Sequence, residues 1–297
     1  MGRLGASNVN VNVNVAAGAL QGGAGVPVRF NSQEFRKLMA GTQFPSVSVQ
    51  GQPEFTDSQK AVNAVKFRRY WDAEHRAYVF LNEFTWRNKD WLAELIKATA
   101  ALHKQLHDEK GDQLRQVIEA SGDREERFAE IIDQHEGEGA IKYWLGMLMI
   151  DPGSAPATYQ LIRVARKIGE MAVMCLKHYY REARPSQVCP AIVPMIDPPV
   201  TPSFPAGHAL QSHLISTCLA ATDRPRDQRD LLFGLSERVA ENRVIAGLHY
   251  PLDSKAGVVA AEECFRRLED GDKFKELLAE ATVEAQQKPQ PESGTRQ

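Results

Sequence analysis

From about residue 57 onward, apolar residues recur at three- and four-residue steps, the spacing of helices that each bury one stripe. Trp91, Leu92, Leu95, Ile96, Leu102 and Leu106 form one such stripe, and Tyr70 to Trp86 is a similar, bulkier and more aromatic stretch. Asp123 to His135 is charged on one side with Phe128, Ile131 and Ile132 on the other, and Gly137 and Gly139 break it. Ile141 to Ile150 is a short apolar segment that ends at Asp151-Pro152-Gly153. The clearest helix runs from Tyr159 to Tyr180, where Leu161, Ile162, Val164, Ala165, Ile168, Ala172 and Leu176 line one face. Prolines at 185, 190, 194, 198, 199, 202 and 205 then forbid a continuous helix and predict a stiff, folded loop. Helix resumes from near His208 to about Ala221, and again from about Asp230 to Gly247. The last helix is expected to begin near Pro251, a favourable first helical residue, and to end near Arg267.

The pattern predicts an all-α chain: a single helical-bundle domain over residues 31–285, between a tail at 1–30 and a disordered polar tail at 286–297. Within the first tail, Asn8 to Val15 alternates Asn and Val with the period of a strand, but with no partner strand in view. Two readings stay open for it, a flexible tail or an arm that pairs with another subunit of a homo-oligomer.

Composition narrows the class. Of 297 residues, 43% are apolar and 25% charged, an ordinary globular balance, and a net charge of −2 gives no reason to expect a nucleic-acid partner. Cys175, Cys189, Cys218 and Cys264 are scattered without a C-x-x-C pair, which reads as buried thiols of a reduced compartment. No apolar run approaches the ~18 residues of a spanning helix. The N-terminus lacks the apolar core of a signal peptide, and Ala6 stands where a myristoylation signal needs Ser or Thr. A cytoplasmic protein with no membrane span is the expectation.

Against this background three segments of the second half carry chemistry. Lys177-His-Tyr-Tyr-Arg-Glu-Ala-Arg184-Pro185 sets two cations seven residues apart, which share a side if the helix runs to Ala183; Pro185 biases Arg184 out of it, to the helix's C-terminal edge. Ser203-Phe-Pro205-Ala206-Gly207-His208 reads as a turn into a helix whose N-terminus offers unpaired N–H groups to an anion. Asn242-Arg243, then His249 and Asp253, adds a cation, an imidazole and a carboxylate that accepts from one ring nitrogen and frees the other to attack. Together they suit an enzyme that neutralises a tetrahedral oxyanion, attacks it with one histidine and handles a proton with another. Other groupings are weaker. Asp133-Gln-His135-Glu136 stands alone as a metal set, and His103 and His107 share a helical face without a glutamate between them, which reads as a surface pair.

These segments resemble the superfamily that joins type-2 phosphatidic acid phosphatases, bacterial class A acid phosphatases and vanadium-dependent haloperoxidases. Its pattern K-x6-R-P, P-S-G-H and S-R-x5-H-x3-D is met in order over about residues 177–257. The resemblance implies that Lys177, Arg184, Arg243 and the Gly207 amide bind phosphate or vanadate oxygens. It makes His249 the nucleophile or vanadate ligand, His208 the acid for the leaving oxygen, and Asp253 the partner of His249. Ala206 departs from the family's Ser, removing a donor worth ~1–3 kcal/mol, and Asn242 replaces the Ser before Arg243. The function implied is a phosphohydrolase acting on a small phosphorylated or pyrophosphorylated metabolite through a phosphohistidine, with no metal or other cofactor. The alternative is a haloperoxidase carrying vanadate in the same pocket. The proline-rich segment and the N-terminal helices are expected to roof that pocket, with Pro198, Pro199 and Phe204 forming an apolar rim.

Overall fold

The computed structural model describes residues 71–135 and 139–286, all within one unit of the chain that spans Tyr70–Gln297. The expected domain start at residue 31, the Asn/Val alternation and the tail beyond 286 lie outside the described residues. Among the described residues the fold is all-α, with no strand. In chain order the helices are α1 (Ala73–Arg87), α2 (Trp91–Asp108), α3 (Lys110–Ala120), α4 (Arg124–His135), α5 (Ile141–Leu148), α6 (Pro156–Tyr180), the single turn α7 (Pro185–Val188), α8 (Gly207–Ala220), α9 (Arg226–Ile245), α10 (Pro251–Leu268) and α11 (Asp272–Gln286).

Helix α8 is the central strut. Ala209, Leu210, Leu214, Ile215, Cys218 and Leu219 are all buried, and a helix apolar around so much of its circumference belongs inside a bundle. It packs against α6, α9 and α10, while α6 also carries α1 and α11 on its other sides. Contact between α8 and α10 is unusually close at Gly257, where a Cβ would lie 2.8 Å from the Ala206 carbonyl oxygen and 2.9 Å from the Leu210 amide. The expected α6 stripe is fully buried from Leu161 to Leu176 and meets Leu210, Leu214, Ala260, Ala261 and Cys264 in the main core.

Local chemistry sets the helix ends. Asp72 caps α1 by accepting from the Glu74 and His75 amides. Pro156 and Pro251 open α6 and α10, where a missing N–H costs nothing. Helix α9 ends in a Schellman motif: the Gly247 amide reaches the Val244 carbonyl and the Leu248 amide the Arg243 carbonyl, with Gly247 at φ +79°.

Several expectations are corrected. The chain does not stop being helical near Arg267, because α11 follows; its Glu284 carboxylate accepts from the Ala157 and Thr158 amides at 2.9 and 2.7 Å and so caps α6. Helix α6 ends at Tyr180 as expected, with Arg181 in the left-handed region (φ 53°), so the condition under which Lys177 and Arg184 would share a helical side, a helix reaching Ala183, is not met. Arg184 therefore sits beyond the helix, in extended backbone before Pro185. On α4, Phe128 and Ile132 are exposed, and only Ile131 of the expected apolar face is buried. Phe204 is fully buried, so it forms no rim. All four cysteines are free, two buried (Cys218, Cys264) and two half-buried (Cys175, Cys189). No helix among the described residues is long and apolar enough to cross a membrane.

Candidate active site

Four of the expected site residues meet in one hydrogen-bonded set where the 182–206 loop crosses the start of α10. His249 and Asp253 lie one turn apart because Asp253 is the third residue of α10, where its Oδ2 also accepts from the Tyr250 amide at 3.1 Å. The same Oδ2 accepts from His249 Nδ1 at 3.0 Å and from the Ser203 hydroxyl. With Nδ1 carrying the proton, the Nε2 lone pair is left free, and Arg184 Nη1 donates toward it at 3.4 Å. Arg184 spends its other donors on the carbonyls of Thr201, Pro202 and Leu248 and on the Thr201 hydroxyl. Lys177, from the last turn of α6, donates to the Pro202 and Ser203 carbonyls.

Arg243 comes from the other side, on the last turn of α9. Its Nη2 donates to the Ile131 carbonyl at 3.1 Å and to Gln134 Oε1 at 3.4 Å, while Nε and Nη1 are buried with no protein partner. Asn242 is a hub rather than a silent replacement for Ser. Its amide donates to Glu130 and Gln134, and its oxygen accepts from Arg127. The inward face of α4 is thus polar by purpose, since it holds Asn242 and Arg243.

His208 and the Gly207 amide lie in the first turn of α8. His208 Nε2–H donates to the Gln134 carbonyl at 3.2 Å, so this ring is tied to α4 and stands apart from the His249–Asp253–Ser203 set. It borders a cavity of about 30 Å³ lined by Trp144, Arg166, Gln211, Ser212 and Ile215. Ala206 is the N-cap of α8 and offers no side-chain cap. A Cβ on Gly207 would meet only Val173 at an ordinary 3.6 Å, so the enforced close approach is at Gly257 instead.

Electrostatics follow from burial. Lys177 and Arg184 are 3% exposed, Arg243 and Asp253 0%, so three cations face one carboxylate out of water. Burial, then Arg184, lowers the Lys177 pKa, and burial lowers that of Arg243 to about 10. Asp253 is raised by burial, against the Ser203 and Tyr250 hydrogen bonds that lower it. His249 is driven well below the usual imidazole value by burial and then by Lys177, Arg184 and Arg243. Burial and Arg243 push His208 down to about 3, so without a bound anion it is neutral, not the ready proton donor expected. The arrangement is a neutral imidazole lone pair amid excess positive charge, suited to an anionic electrophile.

The family model of the PAP2 superfamily matches residues 163–264. Over this span the chain is similar to the PAP2 superfamily. That similarity supports phosphatase-type hydrolase activity in general terms. The PAP2 span runs from Arg163 on α6 to Cys264 on α10 and includes Lys177, Arg184, Gly207, His208, Arg243, His249 and Asp253, but not α4. No curated protein matches the chain.

The motif pattern assigns Ser203 no role, yet its hydroxyl bonds the carboxylate that orients His249. Arg127, Glu130 and Gln134 carried no signal, since polar residues on a charged helix read as a solvated face. His178 is exposed, away from the set, as is Tyr179.

Proposed function

We propose that the chain is a phosphohydrolase that transfers a phosphoryl group to His249 Nε2 and then to water, on a small phosphomonoester or pyrophosphate. One observation carries the reading: three buried cations stand against a single buried carboxylate, with Arg243 Nε and Nη1 unpartnered, and that imbalance calls for an anion.

In this mechanism the phosphate oxygens take up Arg243 Nε and Nη1 and draw Arg184 Nη1 away from His249 Nε2, exposing the lone pair. Nε2 attacks phosphorus and the bond to the leaving oxygen breaks. The leaving oxygen takes a proton from His208, whose own proton affinity is depressed until a dianion binds. A monoanionic ester, with a second pKa near 6, brings that proton with it. Water then attacks the phosphohistidine, His208 accepts its proton, and inorganic phosphate leaves. Through both steps Asp253 steadies the Nδ1–H of His249 as the ring gains positive charge.

The same donors fit vanadate, which takes the five-coordinate geometry of phosphoryl transfer. In a haloperoxidase His249 Nε2 and the three cations would hold it, and it would supply peroxide activation. The test is phosphate release from an aryl phosphate by metal-free protein, beside His249→Ala. Turnover lost in the variant, retained with chelator and inhibited by vanadate supports the proposal. Turnover that survives in His249→Ala refutes it. Peroxide-dependent halide oxidation by vanadate-loaded protein, without phosphatase turnover, moves the assignment to the haloperoxidase.

A further inference from the structure

A second cluster of ligating groups lies outside this set. His103 and His107 are one turn apart on α2, and both Nε2 atoms address the same oxygen of Glu182, at 3.2 and 3.1 Å from Oε2. Glu182 lies far along the chain, in the segment between α6 and α7, so no local H-x-x-x-H-type pattern could have announced it. The three ligand atoms lie within 4.8 Å of one another. Lys110 holds the other oxygen, Oε1, at 2.5 Å, which leaves Oε2 to bind in monodentate fashion.

We infer that His103, His107 and Glu182 form a site for a borderline divalent metal of the zinc class, with a fourth position open to water. A tetrahedral ion with bonds of about 2.0–2.2 Å separates its ligand atoms by roughly 3.4 Å, within a few tenths of the two N–O separations present. The two-nitrogen, one-carboxylate set suits Zn²⁺ and its neighbours rather than Mg²⁺ or Ca²⁺, which favour oxygen cages. The site is ordered before any ion arrives. The His103 ring packs against Tyr180 at 4.4 Å and Phe204 at 5.0 Å, and Glu182 is almost fully buried. It is also reachable, since the His107 side chain is 55% exposed.

The site has a mechanical connection to the first. The Glu182 carbonyl accepts from the Ser203 amide at 2.8 Å, Phe204 follows Ser203, and Arg184 is two residues beyond Glu182. A metal on Glu182 and His103 pins both ends of that cross-link without touching the attacking ring.

The competing account is that both imidazoles simply donate to a buried carboxylate. Untagged full-length protein, stripped with chelator and dialysed, is titrated with Co²⁺ by visible absorption and with Zn²⁺ by calorimetry. The expected result is one equivalent bound with an N/O spectrum and no thiolate charge-transfer band, displaced by Zn²⁺ and accompanied by a rise in Tm. Outer-shell changes weaken metal sites about 10- to 100-fold, so His107→Ala, which removes an exposed ligand, should weaken binding by at least about 100-fold. Glu182→Gln should do the same, with circular dichroism confirming that both variants stay helical. No saturable binding up to millimolar metal overturns the inference. So does binding that His107→Ala leaves intact, or a thiolate band that disappears in Cys189→Ser. None of these readouts depends on phosphatase turnover.

Discussion

Ser203→Ala tests the internal logic of the candidate active site with one atom. The hydroxyl donates to Asp253 Oδ2, which also accepts from His249 Nδ1 and the Tyr250 amide, and both Ser203 and Asp253 are fully buried. A hydrogen bond to a charged group contributes about 1.5–3 kcal/mol, and no water can replace the lost donor. At about 1.4 kcal/mol per pH unit, that interaction corresponds to a further rise of roughly 1–2 units in the Asp253 pKa. The sign is definite: burial already raises this carboxyl to about 6, and the Ser203 bond is the largest influence holding it down. The variant should therefore lose about 1.5–3 kcal/mol in urea unfolding where Asp253 is ionised, and much less in acid, where the carboxyl is protonated. The acid limb of kcat/KM against pH should move upward by the same roughly 1–2 units. An acid limb that stays in place, together with a stability loss equal at both pH values, would refute the role given to this hydroxyl.

In the parent protein, kcat/KM should fall below pH about 6 as Asp253 takes a proton, and above about 7 as Lys177, lowered by burial, loses one. A profile flat from roughly pH 5 to 9 would contradict both assignments. Ala206→Ser should add an N-cap to α8 worth ~1 kcal/mol in unfolding experiments. It should also tighten vanadate about five-fold or more by restoring the missing donor; unchanged vanadate affinity means that another group already fills that position. Gly257→Ala should cost about 1–3 kcal/mol and lower Tm by several degrees, because its Cβ would press on the backbone of Ala206 and Leu210. A variant of unchanged Tm would show that the α8–α10 contact yields without strain.

The sequence announces the catalytic candidates because the chemistry demands charged residues where a core would otherwise be apolar. Lys177 closes an apolar helix, Arg243 and Asp253 flank a glycine turn, and no packing pattern accounts for them. What supports them is illegible for the opposite reason. Arg127, Glu130 and Gln134 form a polar inward face on α4 beside Ile131, while Phe128 and Ile132 point outward, so periodicity places only one of its three apolar residues correctly. Helix α11 escapes notice because Phe274, Leu277 and Ala281, its buried stripe, are sparse among Lys and Glu. The apolar stripe of α6 places its end at Tyr180 even though Arg181, which adopts the left-handed conformation there, is not the glycine that usually marks one.

Helix α4 also has a bearing on how this pocket can diversify. It lies outside the span that matches the PAP2 superfamily, yet its Ile131 carbonyl and Gln134 anchor Arg243, and the Gln134 carbonyl receives His208. The reactive groups and the jig that aligns them are therefore encoded in separate stretches of the gene. Mutation can retune the tilt of one guanidinium and one imidazole by altering α4 alone, leaving every motif residue intact. A transplanted 163–264 fragment would inherit the motif letters without the alignment.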